Sequence, residues 1–327
     1  MIRFFFVLLL LSHSVSADEM RPAFLELTQQ DETSYKVLWK KPTQGEAQKA
    51  LKLEPLFPES AQLKGIKKIT RTGNATLESY VIEDDVALIG KTIKIIGLEA
   101  TSSDVLVRIH YLDGATEFIR VLPEKPNFTL THQSGFYNMA STYLLLGVGH
   151  ILEGFDHLLF VLALLLLVAN IKTLIWTITA FTVAHTITLM LASLDLIHLS
   201  SRAVEATIAL SIIFVAAEVV YAMRGREHLT KKYPWLIAFG FGLIHGLGFA
   251  EALKEIGLPQ NEIVPSLIFF NVGVEIGQLL FVSAVLLFAW IFKSLIEKHV
   301  YIYKMGLTYI IGIIATLWFF ERVLVTM

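Results

Sequence analysis

The chemistry of this chain concentrates in one stretch, His150-Ile-Leu-Glu153-Gly154-Phe-Asp156-His157, which sets two imidazoles and two carboxylates inside an apolar run from about 143 to 169. Ionisable side chains at bilayer depth are costly, so they face the interior of a bundle and mark a functional site. The chain has no cysteine and only seven methionines. That removes disulfides, thiolate zinc, iron–sulfur clusters and cysteine nucleophiles, and it serves copper(I) poorly. His, Asp and Glu remain as donors, a set suited to Ni²⁺, Zn²⁺ or Co²⁺. On a continuous helix His150, Glu153, Gly154 and His157 share one face, with Asp156 at its edge. Glu153 and His157 then form an i,i+4 pair able to grip one ion. His150 lies two turns from His157, ~10 Å along the axis, so a shared ion requires a break at Gly154 or a second site.

Further polar groups fall at matching depth in other apolar runs. His150, His185, His245 and Glu275 each lie about eleven or twelve residues into a run, ~16 Å or half of a ~30 Å hydrocarbon core. Thr182 shares a face with His185, and Asn271, Glu275 and Gln278 share another. Glu218 lies two turns from Ser211 on one face and is a candidate for lining a path. The expected metal ligands are therefore His150, Glu153, Asp156, His157, His185, His245 and Glu275, with Thr182, Glu218, Asn271 and Gln278 as path or supporting residues. Gly242 and Gly246, and likewise Gly273 and Gly277, have the small-xxx-small spacing that lets helix backbones approach closely. Membrane hydrogen bonds average under ~1 kcal/mol each, too little to explain several buried ionisable groups as mere structural glue.

The elements that must position these groups follow from composition. Of 327 residues, 54% are hydrophobic and 17% charged, below the ~25% charge of a soluble domain. Runs long enough to span a bilayer occur near 139–169, 173–194, 203–223, 234–253, 264–292 and 305–325, predicting a bundle of six transmembrane helices in 135–327. Residues 1–17 have a basic start, a short apolar core and small residues at Val15 and Ala17, the pattern of a cleaved signal peptide. With the segment 18–134 outside, the inner connections hold Lys172, Arg224, Arg226, Lys231, Lys232, Lys293, Lys298 and Lys304, whereas the outer ones hold Arg202, Lys254 and Arg322. That asymmetry agrees with the positive-inside rule. The expected location is the inner membrane of a bacterium, in contact with lipid, with 18–134 in the periplasm.

Segment 18–134 reads as a small all-β, sandwich-like domain. Short apolar runs at 23–27, 35–39, 66–70, 79–82, 92–96, 105–111 and 117–121 alternate with turn signals. Asp113-Gly114 predicts a two-residue hairpin turn between the last two, and Pro55 and Pro58 suggest a longer loop. No catalytic constellation is visible in this domain, which leaves it the role of binding a periplasmic protein partner or of scaffolding. The net charge of −2 gives no argument for nucleic acid.

His150-x-x-x-Gly154-x-Asp156-His157 resembles the HPxxGxDH signature of the HupE/UreJ family, with Ile151 in place of proline. Residues from about 140 to 325 look like a branch of that family carrying an added periplasmic domain. The resemblance implies uptake or delivery of nickel, or of cobalt, for metalloenzyme maturation. It carries over His150, Gly154, Asp156 and His157; the other candidates rest on depth and helical face. Binding or transport of a transition metal is thus the expected function, without catalysis. Two alternatives use the same residues: an intramembrane zinc hydrolase with Glu153 or Glu275 as general base, and a membrane-anchored sensor or assembly factor. No HExxH motif is present to favour the hydrolase.

Overall fold

The computed structural model describes residues 22–44, 49–71, 75–101, 103–132, 136–197, 199–227, 229–256 and 263–324. The expected signal peptide lies outside the described residues. The chain divides into two compact units, one made of Met20–Thr142 with Lys254–Pro259 and the other of Tyr143–Leu253 with Gln260–Met327.

In the first unit β1 (Ala23–Gln29) and β2 (Ser34–Gln44) form a hairpin. Its turn is held by the Asp31 carboxylate, which accepts from the amides of Thr33 at 3.0 Å and Ser34 at 2.8 Å and from the Ser34 hydroxyl. The short strands β3 (Lys49–Ala50) and β4 (Glu54–Leu56) follow, then β5 (Gln62–Arg71), β6 (Ala75–Glu83), β7 (Thr92–Ile96), β8 (Val105–His110), β9 (Thr116–Val121) and β10 (Asn127–Thr129). The larger sheet runs β5-β6-β2-β1-β8-β9 with β3 paired to β2, and a smaller one runs β10-β7-β4. Both sheets feed one core, in which Leu25, Leu27, Val37 and Trp39 meet Ile93, Ile95 and Phe128. All seven expected apolar runs lie on strands.

Three features differ from the sequence expectations. Pro55 lies on β4, paired with Ile95 of β7, rather than in a loop. It is tolerated there because β4 is an edge strand, where a missing N–H leaves no ladder partner wanting. The β8–β9 turn is longer than two residues. Tyr111 still pairs with Ala115 through its amide at 2.9 Å, and Leu112, Asp113 and Gly114 make a three-residue loop with Gly114 at φ +85°. Third, β1 pairs with β8 in parallel, a long-range match that alternation alone cannot specify. His110 bonds to Thr116 Oγ1 across the hairpin at 3.2 Å.

The second unit is helical. Its elements are α1 (Phe136–Glu153, which begins in the first unit), α2 (Phe155–Leu167), α3 (Ile171–Ser193), α4 (Ser201–Met223), α5 (Pro234–Ile256), α6 (Ile263–Ile291), the short α7 (Lys293–Ile296) and α8 (Val300–Leu324). Asn170 starts α3 as its N-cap, accepting from the amides of Lys172 and Thr173. Among the described residues four stretches, Ile171–Ser193, Ala203–Met223, Ile263–Ile291 and Glu297–Leu324, are long and apolar enough to cross a membrane. The expected first span is two helices, α1 and α2, bent by 73°; counted as one crossing, the pair brings the total to five. The expected span at 234–253 lies on the 23-residue α5, apolar from Pro234 to Phe249. The six expected spans thus correspond to four unbroken apolar stretches, one broken pair and α5.

α2 supplies Phe160, Val161 and Leu164 to the core, against Ile178 and Phe181 of α3, Ile212 and Val215 of α4, and Ile311, Ala315 and Trp318 of α8. The glycine spacings act as expected. A Cβ at Gly242 would overlap the carbonyl oxygen of Phe181, and one at Gly246 that of His185, so α5 lies backbone to backbone on α3. Gly273 lies in the same way on Leu144, and Gly147 on Phe270, which brings α1 and α6 together. Glu205 forms an ion pair with Arg322 of α8 at 3.1 Å.

Candidate metal centre

The bend between α1 and α2 builds the site. Gly154 sits between them in extended conformation, φ −79° and ψ 92°, and any side chain there would place its Cβ 2.7 Å from the carbonyl oxygen of His150. Glycine is needed here for that close approach and not for an unusual φ. On a straight helix His150 and His157 would be separated by ~10 Å; the break brings their ring centroids to 4.8 Å. Ile151, where the family signature has proline, is fully buried and contacts the α6 backbone at Gly277.

Two more helices bring further imidazoles to this point. His185 of α3 has its ring 6.1 Å from that of His157 and 6.4 Å from that of His150, and His245 of α5 lies 5.1 Å from His157. His157, His185 and His245 are buried, at 4%, 0% and 1% exposure. Phenylalanines wall the cluster, Phe249 and Phe270 beside His150, and Phe160 and Phe181 beside His245.

Hydrogen bonding sets which nitrogen of each ring is free. The Asn271 amide donates to Leu267 O at 2.8 Å, so its oxygen faces His185 Nδ1, 2.9 Å away, and accepts a proton from it. His185 Nε2 therefore carries the lone pair. Ser211 spends its single proton on Ile208 O at 2.6 Å, so its oxygen accepts from His245 Nε2 at 3.1 Å, which leaves the lone pair on Nδ1. Asp156 Oδ1 lies 2.9 Å from His157 Nδ1 and also accepts that residue's own amide at 2.8 Å, leaving Nε2 of His157 bare. His157 Nε2, His185 Nε2, His245 Nδ1 and also His150 Nε2 are buried with no hydrogen-bond partner. Each such acceptor costs roughly 1–3 kcal/mol when nothing satisfies it. A ring fixed on one nitrogen by a neighbour, with the other nitrogen bare, is the arrangement of a metal-ligating histidine.

Two groups of donor atoms could each hold an ion, His150 with His157 and His185, and Asp156 with His157 and His245; within each, the donor atoms lie within 4.8 Å of one another. Neutral imidazole with carboxylate suits Ni²⁺, Co²⁺ or Zn²⁺. Such an arrangement can strip a hydrated dication of water and hold it.

Of the residues expected from sequence as ligands, the fold gathers His150, Asp156, His157, His185 and His245. Glu153 and Glu275 belong to neither donor group. Glu153 is the last residue of α1 and is exposed, because the bend ends the helical face it was to share with His157. Glu275 accepts from Thr179 Oγ1 at 2.6 Å. Thr182 donates to Gln278 Oε1 at 3.1 Å, tying α3 to α6 beside His185. Glu218 has its partners away from the cluster. Its carboxylate is buried and accepts from the amide and hydroxyl of Thr230, at 2.8 and 2.9 Å, clasping the turn before α5. Ser211, placed with Glu218 by helical face, instead supports His245. The aromatic wall escaped the sequence reading altogether; the i,i+4 spacing of Phe241, His245 and Phe249, and of Phe181 and His185, was its only signal.

A scan against protein-family models matches residues 127–322 to the family described as HupE / UreJ protein. Neither a comparison with curated proteins nor one with solved structures returned a match.

Proposed function

Because the chain belongs to the HupE/UreJ family, we propose that its helical unit binds and carries a divalent transition-metal ion, nickel first, with cobalt or zinc as the next candidates. The observation that carries this reading is the set of four buried imidazole nitrogens without partners, three of them with the neighbouring ring nitrogen engaged by Asp156, Asn271 or Ser211. Such lone pairs are costly unless an ion satisfies them. The ion is cargo on this reading, held by imidazole and the Asp156 carboxylate while its water is replaced. Supporting residues keep each free nitrogen aimed inward, as partners of metal-bound histidines do.

The same reading makes the broken pair α1–α2 and the helix α5 membrane crossings, six in all with the four stretches named above. The excess of lysine and arginine in alternate connections favours a periplasmic first unit in the inner membrane, exported by residues 1–17. That unit would receive the ion or a protein that delivers it. A hydrolase is less well served, since of its candidate general bases Glu153 is exposed at the end of α1 and the Glu275 carboxylate accepts from Thr179. Uptake of radioactive nickel into membrane vesicles tests the proposal. His157→Ala removes the residue common to both donor groups and abolishes uptake above background; uptake equal to that of the unaltered protein would refute it.

A further inference from the structure

The four imidazoles are not equally enclosed. His157, His185 and His245 are buried, whereas His150 keeps partial exposure. Asp156, the one other donor with exposure left, has its Oδ1 bonded to the His157 ring. What closes over His150 is a stacked pair of rings, Phe249 and Phe270, with centroids 5.0 Å apart and planes at 6°, lying 4.1 and 5.4 Å from the imidazole. Phe249 comes from α5 and Phe270 from α6. Glycine contacts hold α5 to α3 and α6 to α1, so the stack bridges two helices that are fastened to different neighbours.

Helix directions place this pair. α3 and α5 run the same way, since Gly242 meets Phe181 and Gly246 meets His185. α6 runs against them, since Asn271 meets His185 and Gln278 meets Thr182. Residues after His185 and His245 and before Asn271 therefore lie toward one end of the helical unit, and Phe249 and Phe270 stand on that side of the cluster. Further toward that end are Ser266, one turn from Phe270 on the same face of α6, and Ser193, about two turns from His185. Both hydroxyls are buried and have no hydrogen-bond partner among the described residues; groups so placed are met by water. On the opposite side of the cluster Phe160 and Phe181 are core residues, packed with Ile212, Ala315 and Trp318, and cannot turn aside without opening that core.

We propose that the carried ion reaches the cluster from the end marked by Ser193 and Ser266, arriving first at His150 through the Phe249–Phe270 pair, which opens by unstacking. This rests on the preceding reading and adds the route and its gate. That end is also the one at which the sequence places the connections poor in lysine and arginine, the periplasmic side on that reading. Stacked, the two rings keep bulk water off the imidazoles. Parted, they uncover His150 and leave the core about Phe160 and Phe181 undisturbed.

The test is the rate of Co²⁺ exchange on the purified full chain in nanodiscs, with association followed by stopped-flow absorption and dissociation by an excess of chelator. Phe249→Leu and Phe270→Leu keep an apolar side chain and abolish the stack. Association and dissociation each quicken about two- to tenfold, the worth of an aromatic pair, and by the same factor, so affinity is unchanged. Because either change alone breaks the pair, the double variant is no faster than the quicker single one. Phe249→Met and Phe270→Met repeat the measurement if leucine unfolds the chain. In right-side-out vesicles a membrane-impermeant thiol reagent reaches Ser266→Cys, whose thiol is the only one in the chain, and blocks cobalt loading. Unchanged rates in both phenylalanine variants, weaker affinity with an unchanged association rate, or cobalt loading untouched by the reagent overturns the gate and leaves the metal-carrier reading standing. Absence of Co²⁺ and Ni²⁺ binding in the unaltered protein overturns both.

Discussion

Replacing Asn271 with leucine isolates the role of a residue that touches no ion. Asn271 Oδ1 accepts from His185 Nδ1 at 2.9 Å, and its amide is anchored on Leu267 O at 2.8 Å. Leucine has the same branching and number of side-chain heavy atoms, though it is bulkier, so the site at 3% exposure stays filled. What is lost is the acceptor that keeps the proton on Nδ1. The ring must then either bury an unsatisfied N–H, at roughly 1–3 kcal/mol, or move the proton to Nε2 and turn a donor toward the ion. Loss of such a supporting partner lowers metal affinity about 10–100-fold, or roughly 1.4–2.8 kcal/mol. Isothermal titration of the detergent-purified protein with nickel reads this directly. Asn271→Asp keeps the acceptor and is expected to bind at least as tightly as the unaltered protein. Equal affinity for Asn271→Leu and the unaltered protein would refute the argument that hydrogen bonds set the free nitrogens; equal losses in Asn271→Leu and Asn271→Asp would reduce the residue to packing.

Glu218→Ala leaves the Thr230 amide without its buried acceptor, so thermal stability falls by roughly 1–3 kcal/mol while nickel affinity is unchanged; weakened nickel binding at normal stability would instead place Glu218 on the ion path. Hydrogen bonds from the Ser34 side chain first, then from the Thr33 and Ser34 amides, lower the Asp31 pKa to about 2. A carboxylate held below its unfolded value of about 4 stabilises the fold above that pH and ceases to do so as pH falls toward about 2. The melting-temperature gap between the unaltered chain and Asp31→Asn, read on the first unit's unfolding transition, therefore closes across that window; a gap that stays constant from neutral pH to pH 2 would contradict it.

What the sequence made legible follows from what each rule assumes. Alternation located β1, β2 and β5 to β9 because half-buried strands repeat every second residue, yet nothing local could pair β1 in parallel with β8. The depth argument found His150, His185 and His245, since the level of a residue in a span depends only on counting. Helical-face arguments fared differently. They assume a straight rod, and at Gly154 the rod bends by 73°, which brought His157 to His150 and left Glu153 outside the donor groups. Face arguments also assign residues to sides without naming partners. Ser211 and Glu218 share a side of α4, but the first supports His245 and the second clasps Thr230. Asn271 and Gln278 were found as a polar stripe; that the first fixes a proton on His185 needs the position of Leu267 O as well.

The glycine contacts sort the bundle into two backbone-tight couples, α1 with α6 through Gly147 and Gly273, and α3 with α5 through Gly242 and Gly246. Carbonyl oxygens nested where side chains would be cannot slide, so each couple behaves as one stiff plank. Opening, if the bundle opens, separates plank from plank. His150 rides on one and His185 with His245 on the other, and the Asn271–His185 hydrogen bond is a latch across the divide. Parting the planks therefore draws His150 away from His185 and His245 and breaks the bond that fixes the His185 ring in the same movement.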